Sequence, residues 1–361
     1  MIKKSLIVCS LFSSLVYGDI SLDKKIGQMF MVGFFGTSAP QNSKICQDIR
    51  DYNLGGVILF DYNPIDKTKP KNIYSKNQVA KLTKELQACS PNHDLLIAVD
   101  QEGGKVQRLK SKYGFYGKFP KASDAIKMPR EKMLDIYTSM AKELKSVGIN
   151  YDLAPVVDLD INPNNYVIHK LGRSFGKSPS VVSMYASEFI SAMHRYGVLT
   201  SLKHFPGHGS SLGDTHKGFV DVTNLWSEVE LEPYKKLKDR ADTVMVAHVF
   251  NRHLDSKYPA TLSANVVNGL LRDKIGFDGV VITDDLQMGA IKSKYSLSKT
   301  ISLAINAGDD ILLFGNQLTP KKTVSIKTLI AVTKKLIKDG KIQKSTIDKS
   351  YDRIQKLKAK L

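Results

Sequence analysis

The sequence predicts an α/β protein built as a single (β/α)8 barrel of the TIM type, and three observations lead to this fold class. Short apolar runs rich in β-branched residues alternate eight times with segments of helical period or composition. Such alternation is typical of parallel βαβ units, and eight repeats within a chain of 361 residues favour a closed barrel over an open doubly wound sheet. No linker rich in Pro, Gly or Ser interrupts the pattern, so one domain is expected over residues 19–361.

The predicted elements follow one another along the whole chain. The strands are expected at Gln28–Phe34, Gly56–Phe60, Leu95–Asp100, Tyr151–Leu159, Leu199–His204, Thr243–His248, Gly279–Asp285 and Asp310–Phe314. The helices are expected at Asn42–Tyr52, Asn77–Ala88, Arg130–Ser146, Pro179–Tyr196, Ser227–Arg240, Ala264–Lys274, Leu297–Asn306 and Lys321–Lys338, with a last one near Lys344–Lys358.

The first 18 residues have the pattern of an export signal. Lys3 and Lys4 form a short positive region, Leu6–Val16 is mostly apolar, and Val16-Tyr17-Gly18 resembles a small-residue cleavage site. A buried first strand or helix is the alternative, but the charged segment that starts at Asp19 is typical of the beginning of a domain. We therefore expect residues 1–18 to be a signal peptide and the protein to be exported.

The chain is strongly basic, with a formal net charge of +18. Removal of the two lysines of the predicted signal would leave 18 − 2 = +16. The lysines are spread along helical segments without interleaved aromatic residues, and no nucleic-acid-binding motif is present, so a nucleic-acid partner is not expected. Beyond the N-terminus no apolar run is long enough to span a membrane, and no stable membrane insertion is expected once the signal is removed.

Two cysteines remain after the predicted signal, Cys46 and Cys89. They could pair in an oxidising compartment, and two free structural thiols are the equal alternative, because sequence alone does not show whether they meet. Neither lies in a motif, so a thiol nucleophile is not expected.

The most informative segment is residues 203–216, which follow an apolar run. It carries Lys203, His204, His208, Asp214 and His216. Pro206 and three glycines exclude a continuous helix or a central strand, so these side chains are expected on a loop that leaves the end of a strand. Imidazoles beside a carboxylate on one loop favour proton transfer or substrate binding. A zinc site is the alternative, but the break at Pro206 removes the helical face that a pair of ligands four residues apart needs, so no metal is expected.

Other unusual polar residues also follow predicted strands. Asp100-Gln101-Glu102-Gly103-Gly104 follows the third strand, His248 the sixth, and Asp284-Asp285 the seventh. Because (β/α)8 barrels carry their active sites where the strands end, one barrel mouth would collect these groups from distant parts of the chain.

Five motifs in order resemble those of family-3 glycoside hydrolases, and most closely the β-N-acetylglucosaminidase (NagZ-type) branch. The motifs are residues 100–108, Gly172-Arg173-Ser174-Phe175-Gly176, residues 203–209, Asp214-Thr215-His216 and residues 276–285. The resemblance runs from about Leu22 to beyond Phe314, which is nearly the whole predicted mature chain. It implies that residues 19–361 form the family's N-terminal-type catalytic barrel.

The resemblance implies a retaining hydrolysis in which Asp284 is the nucleophile. Asp285 is the neighbouring rival, but adjacent residues of a strand point to opposite faces, so only one of the two is expected in the barrel mouth. The family pattern favours Asp284, and Asp285 is expected to cap a helix or form a salt bridge.

In place of the second carboxylate of most retaining glycosidases, the resemblance implies that His216 is the acid/base, oriented and supported in charge by Asp214. Gly209 and Gly213 make the loop pliable, so that the pair could swing in when substrate binds. Without the resemblance, a surface imidazole and a turn-forming aspartate would be the preferred interpretation.

Five further residues are carried over as sugar-binding groups, since charge-assisted hydrogen bonds to hydroxyls are directional and strong. They are Asp100 for ring hydroxyls and Arg108, Arg173, Lys203 and His204 for hydroxyls and the N-acetyl group. The arginines could instead form salt bridges at the barrel rim. Glu102 is expected as structural support, His208 as a loop-shaping residue, and His248 and Met288 as walls of the pocket.

The implied activity is therefore removal of terminal β-linked N-acetylglucosamine from peptidoglycan fragments or chito-oligosaccharides. We expect a carbohydrate substrate and no cofactor. We also expect the protein to be a monomer in the periplasm. The alternatives are a family-3 β-glucosidase or β-xylosidase, phosphorolysis in place of hydrolysis, and an inactive exported glycan-binding protein. The chain departs from the family pattern at residues 165–172, which lack a usual proline and are longer.

Overall fold

The barrel of this computed structural model is formed by eight parallel strands that follow one another around a ring. The structure describes residues 20–318 and 320–361, so the predicted signal peptide at residues 1–18 lies outside the described part. The strands are β1 Phe30–Gly33, β2 Gly56–Ile58, β3 Leu96–Val99, β4 Tyr151–Asp152, β5 Leu199–Phe205, β6 Thr243–Val246, β7 Val280–Thr283 and β8 Leu312–Phe314.

Strands β1 to β7 pair in chain order, and β8 pairs with β1. Phe30 lies opposite Leu312, and a parallel bridge between Ile282 and Ile311 closes the ring between β7 and β8. The predicted (β/α)8 barrel is confirmed, with all eight strands where the apolar runs indicated. Most strands are shorter than predicted, above all β4, which ends at Asp152 before the Ala154-Pro155 segment.

Helices surround the barrel at most of the predicted places. They are Leu22–Gln28, Lys44–Tyr52, Lys76–Cys89, Ala122–Ala125, Arg130–Ser146, Pro179–His194, Glu232–Leu237, Gly289–Lys292, Leu297–Ala307, Ile326–Lys338 and Lys344–Lys358. The predicted single helix Ser227–Arg240 is wrong, because a 3-10 turn at Glu228–Leu231 precedes a short helix that begins at Glu232. The segment Asn265–Lys274 is a π-helix.

Serine caps fix several helix starts. The side-chain oxygen of Ser325 accepts a hydrogen bond from the backbone N–H of Thr328, so the helix begins at Ile326 rather than at the predicted Lys321. Ser75 caps the helix Lys76–Cys89 in the same way, through the N–H of Gln78. Such caps satisfy one of the N–H groups that the first turn of a helix leaves without a partner.

The helix Leu22–Gln28 was not predicted. It packs against the last two helices of the chain, where Lys25 lies 2.8 Å from Asp348 and Lys334 lies 2.8 Å from Asp23. The beginning and the end of the described chain are thereby joined on the outside of the barrel.

A disulfide links Cys46 and Cys89, whose Cα atoms are 5.2 Å apart. It joins the helix Lys44–Tyr52 to the helix Lys76–Cys89, and both cysteines are buried. Of the two alternatives that the sequence left open, the structure has the bonded one.

Within residues 20–318 and 320–361, no helix has both the length and the apolar character needed to cross a membrane.

Candidate active site

A cavity of about 360 Å³ opens at the carboxyl ends of the strands, the face at which (β/α)8 barrels carry their active sites. We call it the active-site cavity. All eight residues predicted to be catalytic or sugar-binding border it: Asp100, Arg108, Arg173, Lys203, His204, Asp214, His216 and Asp284. The volume falls in the range of small-molecule sites.

The segment after β3 turns back on itself and forms one part of the wall of the active-site cavity. Gln101–Gly103 pairs with Val106–Gln107 in a short antiparallel sheet. Gly103 has a φ of 98°, and a Cβ there would lie 2.2 Å from the carbonyl oxygen of Pro120, so only glycine fits the turn. The turn brings Arg108 back beside Asp100.

Asp100 is held between two cations. Its Oδ1 lies 3.0 Å from Nζ of Lys203, and its Oδ2 lies 3.2 Å from Nη2 of Arg108. Burial raises the pKa of Asp100, but the charges of Lys203 and Arg108 outweigh it and keep the pKa below the usual value. Asp100 is therefore an ionised hydrogen-bond acceptor at the cavity.

Glu102 binds Arg173 through two parallel hydrogen bonds, each 2.7 Å long, and also lies 2.7 Å from Nζ of Lys203. Burial opposes its ionisation, yet the charges of Arg173 and Lys203 lower the pKa of Glu102 to about 2. A carboxylate held ionised in this way cannot donate a proton near neutral pH. The interpretation of Glu102 as structural support fits this geometry, and Arg173 is at once its ion-pair partner and a wall of the cavity.

His204 is oriented by a buried carboxylate that the sequence analysis missed. Its Nδ1 lies 2.7 Å from Oδ2 of Asp158, and its Nε2 lies 3.3 Å from Nη2 of Arg173. Since Arg173 can only donate, the bond to Asp158 assigns the ring proton to Nδ1 and leaves Nε2 as the acceptor. Asp158 is one of two acidic residues, with Asp152, inside the otherwise mostly apolar run Tyr151–Leu159, and this was the signal that could have identified it.

Lys203 and His204 lie on β5, which extends to Phe205, so the predicted strand Leu199–His204 is confirmed and the loop predicted for residues 203–216 is wrong for these two residues. Parallel pairing continues past the expected end of the strand, and Phe205 lies opposite Val246 of β6. The loop proper begins at Pro206. His208 is buried, with Nδ1 2.6 Å from Oγ of Ser211, as expected of a loop-shaping residue.

Two buried carboxylates hold the base of this loop. Oδ1 of Asp158 accepts the N–H of His208 at 2.7 Å, and Oε2 of Glu230 accepts the N–H groups of Gly209 at 3.0 Å and Ser210 at 3.4 Å. Burial raises the pKa of Glu230 to about 7. A Cβ at Gly207 would lie 2.6 Å from Cβ of Glu230, so the backbone approaches this side chain closely.

Asp214 and His216 lie at the far end of the loop and form a pair. Oδ1 of Asp214 lies 2.9 Å from Nδ1 of His216 and also accepts its backbone N–H at 3.0 Å. The imidazole is 56% exposed, whereas the carboxylate is 17% exposed. Nε2 of His216 is thus free of Asp214 and available for a proton transfer.

Asp284 directly follows β7. Its backbone N–H bonds the carbonyl of Val246 at 3.1 Å, and its Oδ1 accepts the N–H of Asp285 at 2.8 Å. Burial raises its pKa, but the electrostatic interactions with the imidazoles of His248, His204 and His216 together lower the pKa below the usual value. Asp284 is an ionised carboxylate on the cavity wall.

Asp285 also borders the cavity, so the expectation that only one of the two aspartates would enter it is wrong. The strand ends at Thr283, and the alternation of faces therefore does not extend to this pair. Oδ1 of Asp285 accepts the N–H groups of Gln287 at 3.0 Å and Gly315 at 3.2 Å, in place of the expected helix cap or salt bridge. Burial raises the pKa of Asp285 to about 6.

Of the two expected wall residues, Met288 borders the cavity and His248 lies behind it. Nε2 of His248 is 3.0 Å from the carbonyl of Asp285, and its Nδ1 is 2.8 Å from Oγ1 of Thr261. Several other wall residues lie in no motif and were not predicted from the sequence: Phe60, Asp61, Tyr62, Tyr166, Met245 and Gln317.

Lys71 supports the cavity wall from behind. Its Nζ lies 3.0 Å from the carbonyl oxygens of both Gly315 and Asn316 and 4.5 Å from the ring centre of Phe60. Burial lowers the pKa of this lysine to about 7. The side chain therefore joins the segments that follow β2 and β8.

Within the described residues, no three His, Cys, Asp or Glu side chains are grouped so that they could hold a metal ion.

Comparison with known proteins identifies the family. The sequence profile described as "Glycosyl hydrolase family 3 N terminal domain" matches residues 21–357. The chain belongs to glycoside hydrolase family 3. It is similar to Beta-hexosaminidase A of Pseudoalteromonas piscicida, with 31% identity over 353 residues that cover 90% of this chain and 56% of that protein. It is similar to Beta-hexosaminidase LpqI of Mycobacterium tuberculosis, with 36% identity over 277 residues that cover 73% of this chain and 68% of that protein.

A solved structure leads to the same family. A glycoside hydrolase family 3 beta-N-acetylglucosaminidase from Paenibacillus sp. str. FPU-7 superposes with a TM-score of 0.83 at 33% identity. The superposition covers 94% of this chain and 62% of that chain. The chain thus spans less than two thirds of the length of this enzyme and of the Pseudoalteromonas relative.

Proposed function

We propose that this chain is a retaining exo-β-N-acetylglucosaminidase that removes terminal β-linked N-acetylglucosamine from peptidoglycan fragments or chito-oligosaccharides. The observation that carries the proposal is a single cavity bordered by an ionised carboxylate, Asp284, and by an exposed imidazole paired with a carboxylate, His216 with Asp214. The names of the similar proteins, which are beta-hexosaminidases and a beta-N-acetylglucosaminidase, point to the same chemistry.

In the first step, a carboxylate oxygen of Asp284 attacks the anomeric carbon, and the bond from that carbon to the leaving oxygen breaks. His216 in its protonated form gives its Nε2 proton to the leaving oxygen. The result is a glycosyl ester on Asp284, a free aglycone and a neutral imidazole. The charge of Asp214 stabilises the protonated ring and holds its Nδ1–H in place.

In the second step, the neutral His216 accepts a proton from water as the water oxygen attacks the same carbon. The ester bond to Asp284 breaks, and the carboxylate and the imidazolium are restored. Two inversions give a product with the β configuration of the substrate. The exposure of the imidazole supports this part of the proposal, because water must reach it.

The other five residues would hold the sugar. The ionised Asp100 accepts hydrogen bonds from ring hydroxyls, and Lys203, Arg173 and Arg108 donate to hydroxyl and amide oxygens. The hydrogen bond from Nδ1 of His204 to Asp158 fixes the orientation of the ring, so that Nε2 lies beside Arg173. The ion pairs keep these side chains in place before substrate arrives, which lowers the entropic cost of binding.

We also propose that residues 1–18 direct export and that residues 19–361 form the catalytic barrel. The positive and apolar pattern of the first residues supports export, and a disulfide is typical of an oxidising compartment. A periplasmic enzyme would meet wall fragments outside the inner membrane.

The experiment compares p-nitrophenyl β-N-acetylglucosaminide with p-nitrophenyl β-glucoside, using the wild type, Asp284→Ala and His216→Ala, with and without phosphate. The proposal predicts cleavage of the N-acetylglucosaminide alone, loss of cleavage in Asp284→Ala, and free N-acetylglucosamine as product in both buffers. Preference for the glucoside would favour the β-glucosidase alternative, and a sugar phosphate would favour phosphorolysis. No cleavage of either compound would favour an inactive glycan-binding protein.

A further inference from the structure

A second depression adjoins the active-site cavity and shares part of its wall. It has a volume of about 610 Å³, and Asp61, Tyr62 and Arg108 border both spaces. Its other lining residues come from two segments, residues 63–74 after β2 and residues 110–113 beyond the turn that follows β3. We call this depression the tyrosine–lysine groove.

The groove is basic. Five of its lining side chains are cationic and one is a carboxylate: Lys67, Lys69, Arg108, Lys110 and Lys112 against Asp61. Lys110 already pairs with Asp61 at 2.6 Å, and Arg108 and Lys69 pair with carboxylates outside the groove. The other two cations of the groove, Lys67 and Lys112, form no ion pair with any of the described residues, and both are exposed. The groove therefore presents an excess of positive charge to a ligand.

The groove also offers aromatic rings. Tyr62 is 46% exposed and Tyr74 is 51% exposed, and Tyr113 also lines the groove. Large exposed aromatic side chains beside a cavity are typical of binding surfaces, and a tyrosine presents both a flat apolar face and a hydroxyl. The ammonium of Lys112 lies 4.7 Å from the ring centre of Tyr113, so charge and ring occur side by side.

From these observations we infer that the tyrosine–lysine groove binds the aglycone, and that it selects an aglycone sugar bearing a carboxylate over a neutral one. This inference rests on the proposed glycosidase activity, because the aglycone is the part of the substrate beyond the bond that is cleaved. The shared residues Tyr62 and Arg108 place the groove where a chain leaving the active-site cavity would continue.

The charge decides between the two substrate classes named above. A chito-oligosaccharide aglycone is neutral and gains nothing from Lys67 and Lys112. A peptidoglycan aglycone carries a carboxylate on its lactyl ether, or further out on an attached peptide, and either would approach the exposed ammonium groups. Because exposed charge pairs contribute little each and are screened by salt, the preference should be modest and strongest at low ionic strength.

The test uses a disaccharide of N-acetylglucosamine β-linked to a lactyl-bearing N-acetylhexosamine, and the methyl ester of the same compound as its neutral match. For the wild type at low salt, the expected kcat/KM on the acid exceeds that on the ester by roughly five- to tenfold, and the ratio falls as salt is added. In Lys67→Ala/Lys112→Ala the ratio should approach one. A peptide-bearing version of the disaccharide shows which of the two carboxylate sources the groove prefers.

Two controls separate this inference from the proposed function. Lys327→Ala/Lys338→Ala removes two exposed lysines from the outer helix Ile326–Lys338 and should leave the ratio unchanged. Hydrolysis of p-nitrophenyl β-N-acetylglucosaminide should be the same in both double variants, because its aryl aglycone carries no carboxylate. If the wild type cleaves the aryl glycoside but cleaves the acid and the ester at equal rates, the inference about the groove is overturned and the proposed glycosidase activity stands. Failure to cleave the aryl glycoside would instead overturn the proposed function.

Discussion

Nδ1 of His216 lies 2.9 Å from Oδ1 of Asp214, and the imidazole is more than half exposed although its partner carboxylate is mostly covered. The pair can therefore hold a ring proton on the side of Asp214 and present Nε2 to the cavity. If His216 protonates the leaving oxygen, its importance must depend on how much the leaving group needs a proton.

We expect His216→Ala to slow cleavage of a disaccharide by about a hundredfold or more, and cleavage of a 2,4-dinitrophenyl glycoside far less in its first step. The physical reason is that a dinitrophenolate leaves without protonation. Rates of formation of the glycosyl-enzyme, measured by stopped flow for a series of aryl leaving groups, check this. His169→Ala is the matched control, because His169 forms a similar pair with Asp160 at 2.7 Å and is not part of the cavity wall. An equal loss for all leaving groups would contradict the acid role.

The ion pair of Glu102 with Arg173 should make stability depend on pH in a defined window. The pKa of Glu102 is lowered to about 2 in the folded protein, against about 4.3 in an unfolded chain. The stabilisation is thus fully present above the unfolded value and is lost as pH falls toward the folded one.

We expect Glu102→Gln to lower the free energy of unfolding by about 3 to 5 kcal/mol at pH 7, because it leaves buried cations without their partner. The difference from the wild type should shrink between about pH 4 and pH 2, where the wild-type carboxylate is itself protonated. Urea unfolding at several pH values measures it, with the exposed Glu131→Gln as control. If the difference in the free energy of unfolding between Glu102→Gln and the wild type does not change with pH, the lowered pKa of Glu102 is contradicted.

Because Glu230 accepts hydrogen bonds from the backbone at the start of the loop after β5, we expect it to help position His216 at the end of that loop. Its Oε2 accepts two backbone N–H groups at the start of the segment that ends in His216. We expect Glu230→Ala to lower kcat about tenfold or more with little change in KM, because unsatisfied N–H groups loosen the loop. Glu230→Gln keeps an oxygen acceptor and should restore most of the rate. If glutamine is as damaging as alanine, charge rather than hydrogen bonding is what matters there.

The disulfide between Cys46 and Cys89 closes a loop with a sequence separation of 43 residues. Restriction of the unfolded chain by a loop of this size corresponds to a stabilisation of up to about 4 kcal/mol. Cys46→Ser/Cys89→Ser should therefore unfold at lower temperature while keeping its activity, since neither cysteine borders the cavity. Thermal unfolding with and without a reductant checks this: the reductant should lower the wild-type midpoint and leave that of the variant unchanged.

The sequence predicted the barrel well because periodicity and strand-ending polar residues are local signals. The runs at Leu95–Asp100 and Leu199–His204 needed no knowledge of neighbours to be recognised as strands. The predicted ends of strands were less accurate, because pairing with a neighbouring strand decides where a strand ends. Phe205, for example, extends β5 by pairing with β6. Family membership is confirmed, and the eight residues predicted to be catalytic or sugar-binding border one cavity, while their roles stay predictions.

What the sequence did not indicate depends on contacts between distant segments. Asp158 and Glu230 hold the same loop base from positions 72 residues apart, and neither lies in a recognisable motif. Lys71 was not singled out in the sequence, and it is fully buried against Gly315 and Phe60. Asp285 was assigned by strand alternation, and the strand ends two residues earlier.

The most direct test of the account is to trap the glycosyl-enzyme and find the labelled residue. A 5-fluoro-N-acetylglucosaminyl fluoride slows both steps, the first less because fluoride is a good leaving group, so the ester accumulates and peptide mass spectrometry can place it. We predict one added sugar, carried by Asp284, with no label in Asp284→Asn and with labelling retained in Asp285→Asn. A sugar attached to Asp285 or Glu102, or turnover with inversion and no ester, would contradict the central claim.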